Sequence, residues 1–232
     1  MTPATRTGEP EEHLDRGPRD KNELAAAIAA DIPHGSYVNL GIGQPTLVAD
    51  HLDADAGVVL HTENGMLNMG RAAVGDEIDP DLTNAGKIPV TELPGASYFH
   101  HADSFAMMRG GHLDVCVLGA FQVSGRGDLA NWHTGAPDAI PAVGGAMDLA
   151  IGAKRVYVLM SLFARDGSPK LVPTCAYPLT GTGCVHRVYT DLAVIDVTPR
   201  GLVVVDVVEG MGFEELQSRT GAPLARAAGA KS

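Results

Sequence analysis

Continuous apolar runs of strand length constrain this chain more than any other feature. Residues 37–40, 57–60, 112–119, 155–160, 192–197 and 202–207 are short, rich in Val and Leu, and bounded by Gly, Pro or charged residues. Runs of that kind read as buried strands rather than half-exposed ones. Between them lie segments with helical signals. Asn22 can cap a helix over 22–30, Pro45 suits the first turn of one over 45–51, and further helices are predicted over 97–108, 144–151 and 213–218. Alternating strands and helices place the chain in the α/β class, with a largely parallel sheet flanked by helices. The unit 37–60, a strand, a Gly41-x-Gly43 loop, a helix and a second strand, is a βαβ unit in miniature.

The 232 residues suffice for one large domain, expected over 22–224, with a polar Pro- and Gly-rich tail over 1–21 and a short tail over 225–232. A net charge of −11 argues against nucleic acid as the main partner. Cys116, Cys175 and Cys184 form no CxxC pair and read as small buried side chains. No apolar run is long enough to span a bilayer, and 1–21 lacks a signal core, so a cytoplasmic location is expected. Residues 75–87, 125–141 and 173–184 read as loops; the second carries Trp132 and His133, for which a substrate-lining role stands as the alternative to simple packing.

One charged residue stands out. Glu63 follows the run 57–60 into a turn that opens on Asn64-Gly65, beyond the carboxyl end of a strand, where α/β domains place their chemistry. A carboxylate there can be a general base, a metal ligand or a nucleophile. His61 alternates with it along the strand, yet no further ligand set has a metal-binding spacing, so no metal is expected. His100-His101-x-Asp103 reads as a capping group rather than a ligand cluster. Gly41 and Gly43, and Gly144-Gly145 before a later helix, either make tight turns or offer backbone N–H groups to developing negative charge.

The segment LHTENG at 60–65 resembles the glutamate motif of the family I CoA-transferases, specifically the B subunits of 3-oxoacid CoA-transferases. NLGIGQPT (39–46), GGHLD (110–114), GAFQV (119–123), GDLANW (127–132), GGAMDL (144–149) and TDLAV (190–194) are similar to further motifs of that family, in its order. The stretches 99–112 and 131–135 resemble the branch that acts on 3-oxoadipate. Asn68 and Arg71 depart from the motif, which usually has Gly and Pro there; Asn tolerates a left-handed backbone, so the turn can survive.

The resemblance implies the CoA-transferase (NagB/RpiA-like) fold and Glu63 as a nucleophile that carries CoA as a glutamyl thioester. It implies Asn39 and the Gly144 N–H as supports for the oxyanion. It also implies no bound cofactor beyond the CoA thioester substrate, and a separate A subunit in an A2B2 heterotetramer. Succinyl-CoA and 3-oxoadipate are the implied substrates, with acetoacetate as the alternative acceptor and thioester hydrolysis a lesser alternative. Met66, Leu67 and Met69 would help exclude water, and Arg109, Arg187 or His133 would meet the second carboxylate of a dicarboxylic acid.

Overall fold

The computed structural model describes residues 17–135 and 142–227. Helix α1 (Lys21–Asp31) starts one residue earlier than predicted. Its cap is Asp20, whose carboxylate accepts from the N–H groups of Asn22 and Glu23 while Glu23 accepts from the Asp20 N–H. Arg19 is also held, its N–H bonded to the Asp191 carbonyl and its guanidinium to Asp206, so the domain begins inside the expected N-terminal tail.

Strand β1 (Tyr37–Leu40) runs parallel to β2 (Val59–Thr62), with Val38 opposite Leu60 and Asn39 opposite His61. The crossover between them is built from 3-10 turns, Gln44–His51 and Ala54–Ala56, in place of the predicted α-helix. Eight residues of 3-10 helix cover about 16 Å against about 12 Å as α-helix, which helps a short connection return to the start of a parallel neighbour.

Strands β3 (Met66–Ala72) and β4 (Val90–Tyr98) then extend the sheet as an antiparallel meander. Neither has a signal in the sequence. β4 is the edge strand, mostly exposed and interrupted by Pro94 and Gly95, so it carries no apolar pattern. Helix α2 (His101–Arg109) therefore begins four residues later than predicted, with the His100 ring accepting from the Ala102 N–H as its cap.

The remaining strands are β5 (Val115–Gly119), β6 (Gln122–Ser124) and β7 (Leu129–Ala130), followed by helix α3 (Ala146–Gly152) and β8 (Arg155–Leu159). After these come β9 (Leu171–Val172), β10 (Arg187–Tyr189), β11 (Ala193–Thr198), β12 (Gly201–Val207), helix α4 (Phe213–Arg219) and β13 (Leu224–Arg226). Strand β13 crosses the expected boundary at 224/225.

Ten strands form one sheet in the order β13-β12-β11-β10-β8-β5-β1-β2-β3-β4. The middle five, β10 to β2, are parallel, and antiparallel strands flank them on both sides. The sheet is thus mixed around a parallel centre. Successive side chains of β5 and β8 pack into different cores: Cys116, Leu118, Val156 and Val158 on one face, Val115, Val117, Tyr157 and Leu159 on the other. Both faces are covered, which is why these strands read as unbroken apolar runs.

Candidate active site

Glu63 is the first residue beyond β2. Its turn is closed by the Gly65 N–H on the Thr62 carbonyl (3.1 Å) and the Met66 N–H on Thr62 Oγ1 (3.1 Å). Gly65 is left-handed at φ 119°, and a Cβ there would stand 2.2 Å from the Phe99 carbonyl oxygen, so only glycine fits. Asn64 ties the turn outward by donating to the Thr83 carbonyl at 2.8 Å.

The half-buried Glu63 carboxylate lies against the start of α3. A Cβ on Gly145 would sit 2.2 Å from Glu63 Oε2 and 2.8 Å from Cδ, so the carboxyl group fills the space that glycine leaves. The neighbouring Gly144 is left-handed (φ 53°) with nothing within 4 Å of its missing Cβ. The GG pair thus does two jobs: one glycine makes the turn, and the other admits the carboxylate.

Behind the turn lies a buried polar chain. Asn39 Nδ2 donates to His61 Nδ1 (3.0 Å) and to the His61 carbonyl (3.1 Å). Ser104 Oγ lies 2.9 Å from His61 Nε2 and donates to the Thr62 carbonyl at 3.2 Å. Because the single serine proton goes to that carbonyl, Nε2 carries the imidazole hydrogen and donates to Ser104, leaving Nδ1 to accept from Asn39. The ring is neutral, and burial lowers its pKa from 6.5 to about 4. Its place on β2 allows His61 to share a face with Glu63 as a ligand, but both its nitrogens are occupied by protein groups. Its role is to orient Asn39.

A cavity of about 750 Å³ opens over these residues at the carboxyl ends of the parallel strands. Asn39, Gly41, Glu63, Trp132, Gly144 and Gly145 all line it. Gly41 cannot act as the expected donor, since its N–H is bonded to the Val117 carbonyl at 2.8 Å, continuing the β1–β5 ladder. Gly43 is left-handed (φ 89°) and makes the turn into the 3-10 helix. Trp132 is fixed by its indole N–H on the Leu179 carbonyl (3.2 Å), while His133 accepts from the Gly135 N–H and lies outside the cavity lining.

The positive residues expected to meet a distal carboxylate are elsewhere. Arg109 pairs with Asp148 at 2.6 Å, and Arg187 is held by Asp196 and Asp31, which keep its pKa raised. Neither lines the cavity. Among the described residues, the cations that do are Arg19, Lys21 and Lys170. Sequence reasoning misses Lys170 because its only local signal is the Asp166-Gly167 turn before it.

The expected apolar seal divides. Met66 packs in the core, Leu67 lies opposite His61 across the strand pair, and Met69 lines a small cleft beside Asn39 and Glu63. Asn68 is left-handed at φ 64°, as the sequence allowed, and its side chain donates to the Pro94 carbonyl at 2.9 Å. Arg71 forms a two-point ion pair with Glu77. The cysteines are unpaired, and burial raises the thiol pKa of Cys175 and Cys184 to about 11 and that of Cys116 further.

The architecture has solved counterparts. The acyl-CoA transferase (YdiF) of Escherichia coli O157:H7 superposes with a TM-score of 0.70 at 19% identity, covering 92% of this chain and 43% of that longer one. The decarboxylase AibA/AibB superposes at 0.63 and 19% identity, covering 89% and 85%. Likeness at such identities shows the fold alone, and one fold here carries two named chemistries.

Sequence narrows the class. The family model described as Coenzyme A transferase matches residues 21–217, and the chain belongs to that family. It is 61% identical over 204 residues to the B subunit of the 3-oxoadipate CoA-transferase of Acinetobacter baylyi, covering 88% of this chain and 94% of that one. It is 45% identical over 200 residues to the B subunit of the succinyl-CoA:3-ketoacid coenzyme A transferase of Helicobacter pylori, covering 86% and 96%.

Proposed function

We propose that this chain is the B subunit of a 3-oxoacid CoA-transferase that moves CoA from succinyl-CoA to 3-oxoadipate. The observation that carries the reading is the Glu63 carboxylate, seated over the bare Cα of Gly145 inside the cavity. The 61% identical relative supports 3-oxoadipate as the acceptor; the 45% identical relative is named for 3-ketoacids in general, and acetoacetate, a 3-ketoacid with one carboxylate, is the acceptor to test against it.

In the reaction we assign, a Glu63 oxygen attacks the thioester carbonyl of succinyl-CoA. The C–S bond breaks, giving a mixed anhydride and CoA thiolate. The thiolate then attacks the glutamyl carbonyl, releasing succinate and leaving CoA on Glu63 as a thioester. A carboxylate oxygen of the acceptor attacks that thioester to form a second anhydride and thiolate. Attack of the thiolate on the acceptor's acyl carbon gives the new acyl-CoA and frees Glu63. Each addition places negative charge on a carbonyl oxygen, for which we assign the Gly144 N–H as a donor; both Asn39 amide hydrogens are held by His61, so Asn39 can serve only after that contact is given up. No proton need be gained or lost overall, so a fixed neutral His61 behind Asn39 suits the site.

The relatives' names support a separate A subunit, and we assign an A2B2 assembly that completes the cavity's open side. Among the described residues no helix is long and apolar enough to cross a membrane. Three unpaired cysteines support a reducing compartment, the cytoplasm.

The test uses the chain co-expressed with its A subunit. Succinyl-CoA followed by hydroxylamine should mark Glu63, and Glu63→Ala should lower kcat by at least a thousandfold. Transfer at the wild-type rate by that variant would sink the mechanism, and thioester loss without any acceptor would favour hydrolysis instead.

A further inference from the structure

Among the three cations lining the cavity, Lys170 is the one built into the scaffold with no direct ion pair among the described residues. Its backbone N–H donates to the Leu162 carbonyl (2.9 Å), and its carbonyl accepts from the Val123 N–H (2.9 Å). The flanking Leu171 and the facing Leu162 are fully buried. The side chain is half-buried, and among the described residues its ammonium has no hydrogen bond or ion pair. Arg19, by contrast, is paired with Asp206, and Lys21 is exposed.

The charged group facing Lys170 is Asp191, which also lines the cavity; its Oδ1 accepts from the Leu162 N–H at 2.7 Å. Burial lowers the lysine's pKa and Asp191 opposes that shift. A half-desolvated ammonium in an open cavity gains most from an anion that binds there.

We propose that Lys170 is the subsite for the free carboxylate of a dicarboxylic acyl group whose other end reacts at Glu63. The inference rests on the transferase reading given above and adds to it the residue that selects dicarboxylic acids. Glu63 enters from the end of β2, and Lys170 directly precedes β9 of a small three-stranded sheet, its backbone joined to the Leu162 carbonyl beyond β8 and to the Val123 N–H of β6. Both side chains line the same cavity of about 750 Å³, which has room for a six-carbon diacid of about 6 Å between its terminal carbons. Succinyl and 3-oxoadipyl groups each keep one free carboxylate while the other is activated, so one cation serves both half-reactions. Acetoacetate has no second carboxylate and leaves Lys170 unmet.

The test again uses the assembled enzyme. Lys170→Gln should lower the ratio of kcat/KM for 3-oxoadipate over that for acetoacetate by at least about tenfold, chiefly through KM. Lys170→Arg should restore most of the ratio. An equal fall for both acceptors would overturn the proposal, and so would an unchanged ratio. A KM increase for every acyl-CoA regardless of acyl group would assign the lysine to the phosphates of CoA and overturn it too. Should Lys170→Gln fail to assemble, inhibition of the wild type decides. Adipate should compete with the acceptor at least about tenfold better than hexanoate, and equal inhibition refutes the subsite. Hydroxylamine labelling of Glu63 in the wild type separates the two ideas. Labelling with no diacid preference refutes Lys170 alone, whereas no labelling refutes the transferase mechanism itself.

Discussion

Gly145 has no side chain because Glu63 is already there. A methyl group at this position would stand 2.2 Å from Oε2, a separation no two such atoms tolerate, so the carboxylate must swing away. Gly145→Ala should therefore leave the fold intact but lower kcat by about a hundredfold or more, since small displacements of a reacting group carry that cost. Turnover and hydroxylamine labelling should fall together, while the melting temperature changes little. The opposite pattern, normal turnover with a lower melting temperature, would show that Glu63 has room to move. Glu63 is legible as a site residue from its place after a strand and before Asn-Gly. Which glycine of the pair touches it is not, because a GG dipeptide looks the same whichever member makes the contact.

Elements are legible in proportion to their burial. The central strands β5 and β8 are covered on both faces and announce themselves as apolar runs. The edge strand β4 is exposed and broken by Pro94 and Gly95, and its existence is enforced by pairing with β3 rather than by its own residues. Asn68 holds this edge. It takes the left-handed backbone at a register irregularity between Leu67 and Met69, and its side chain closes on the Pro94 carbonyl. Asn68→Ala should cost about 1–2 kcal/mol, the sum of a strained backbone and a lost hydrogen bond. Asn68→Gly, which loses only the bond, should cost less. Urea midpoints of the two variants at equal m-values check the order.

For the molecule as a whole, the site is a property of the sheet. Asn39, Glu63 and Lys170 are far apart in sequence, and the fold brings all three to one cavity, the first two from parallel strands and the third from beside the smaller sheet. The buried His61 gives the whole fold a pH dependence. The unfolded chain protonates this ring near pH 6.5, the folded one only near 4. Between those values the unfolded state binds more protons, so this contribution is fully present above about pH 6.5 and is lost as pH falls toward 4. A shift of that size corresponds to something on the order of 3 kcal/mol. Denaturation midpoints of the assembled protein between pH 7 and 4.5 should fall with falling pH. His61→Gln, although less stable at pH 7, should show a shallower fall over that interval. An equally steep fall in the variant would assign the dependence to other groups.

The α/β class, the buried strands, the family and the candidate nucleophile can all be read without coordinates. Each is written in local pattern: apolar runs of fixed length, a carboxylate before a tight turn, motifs in a fixed order. The edge strands, the 3-10 crossover, the loss of Gly41 to the ladder and the exclusion of Arg109 and Arg187 from the site emerge only from the folded chain. These depend on which groups meet across the sheet. A backbone N–H or a guanidinium shows its availability only when its partner, distant in the chain, is in place. Lys170 is the clearest instance: unremarkable in its loop, it becomes a charge lining the cavity once its backbone is bonded to Leu162 and to Val123.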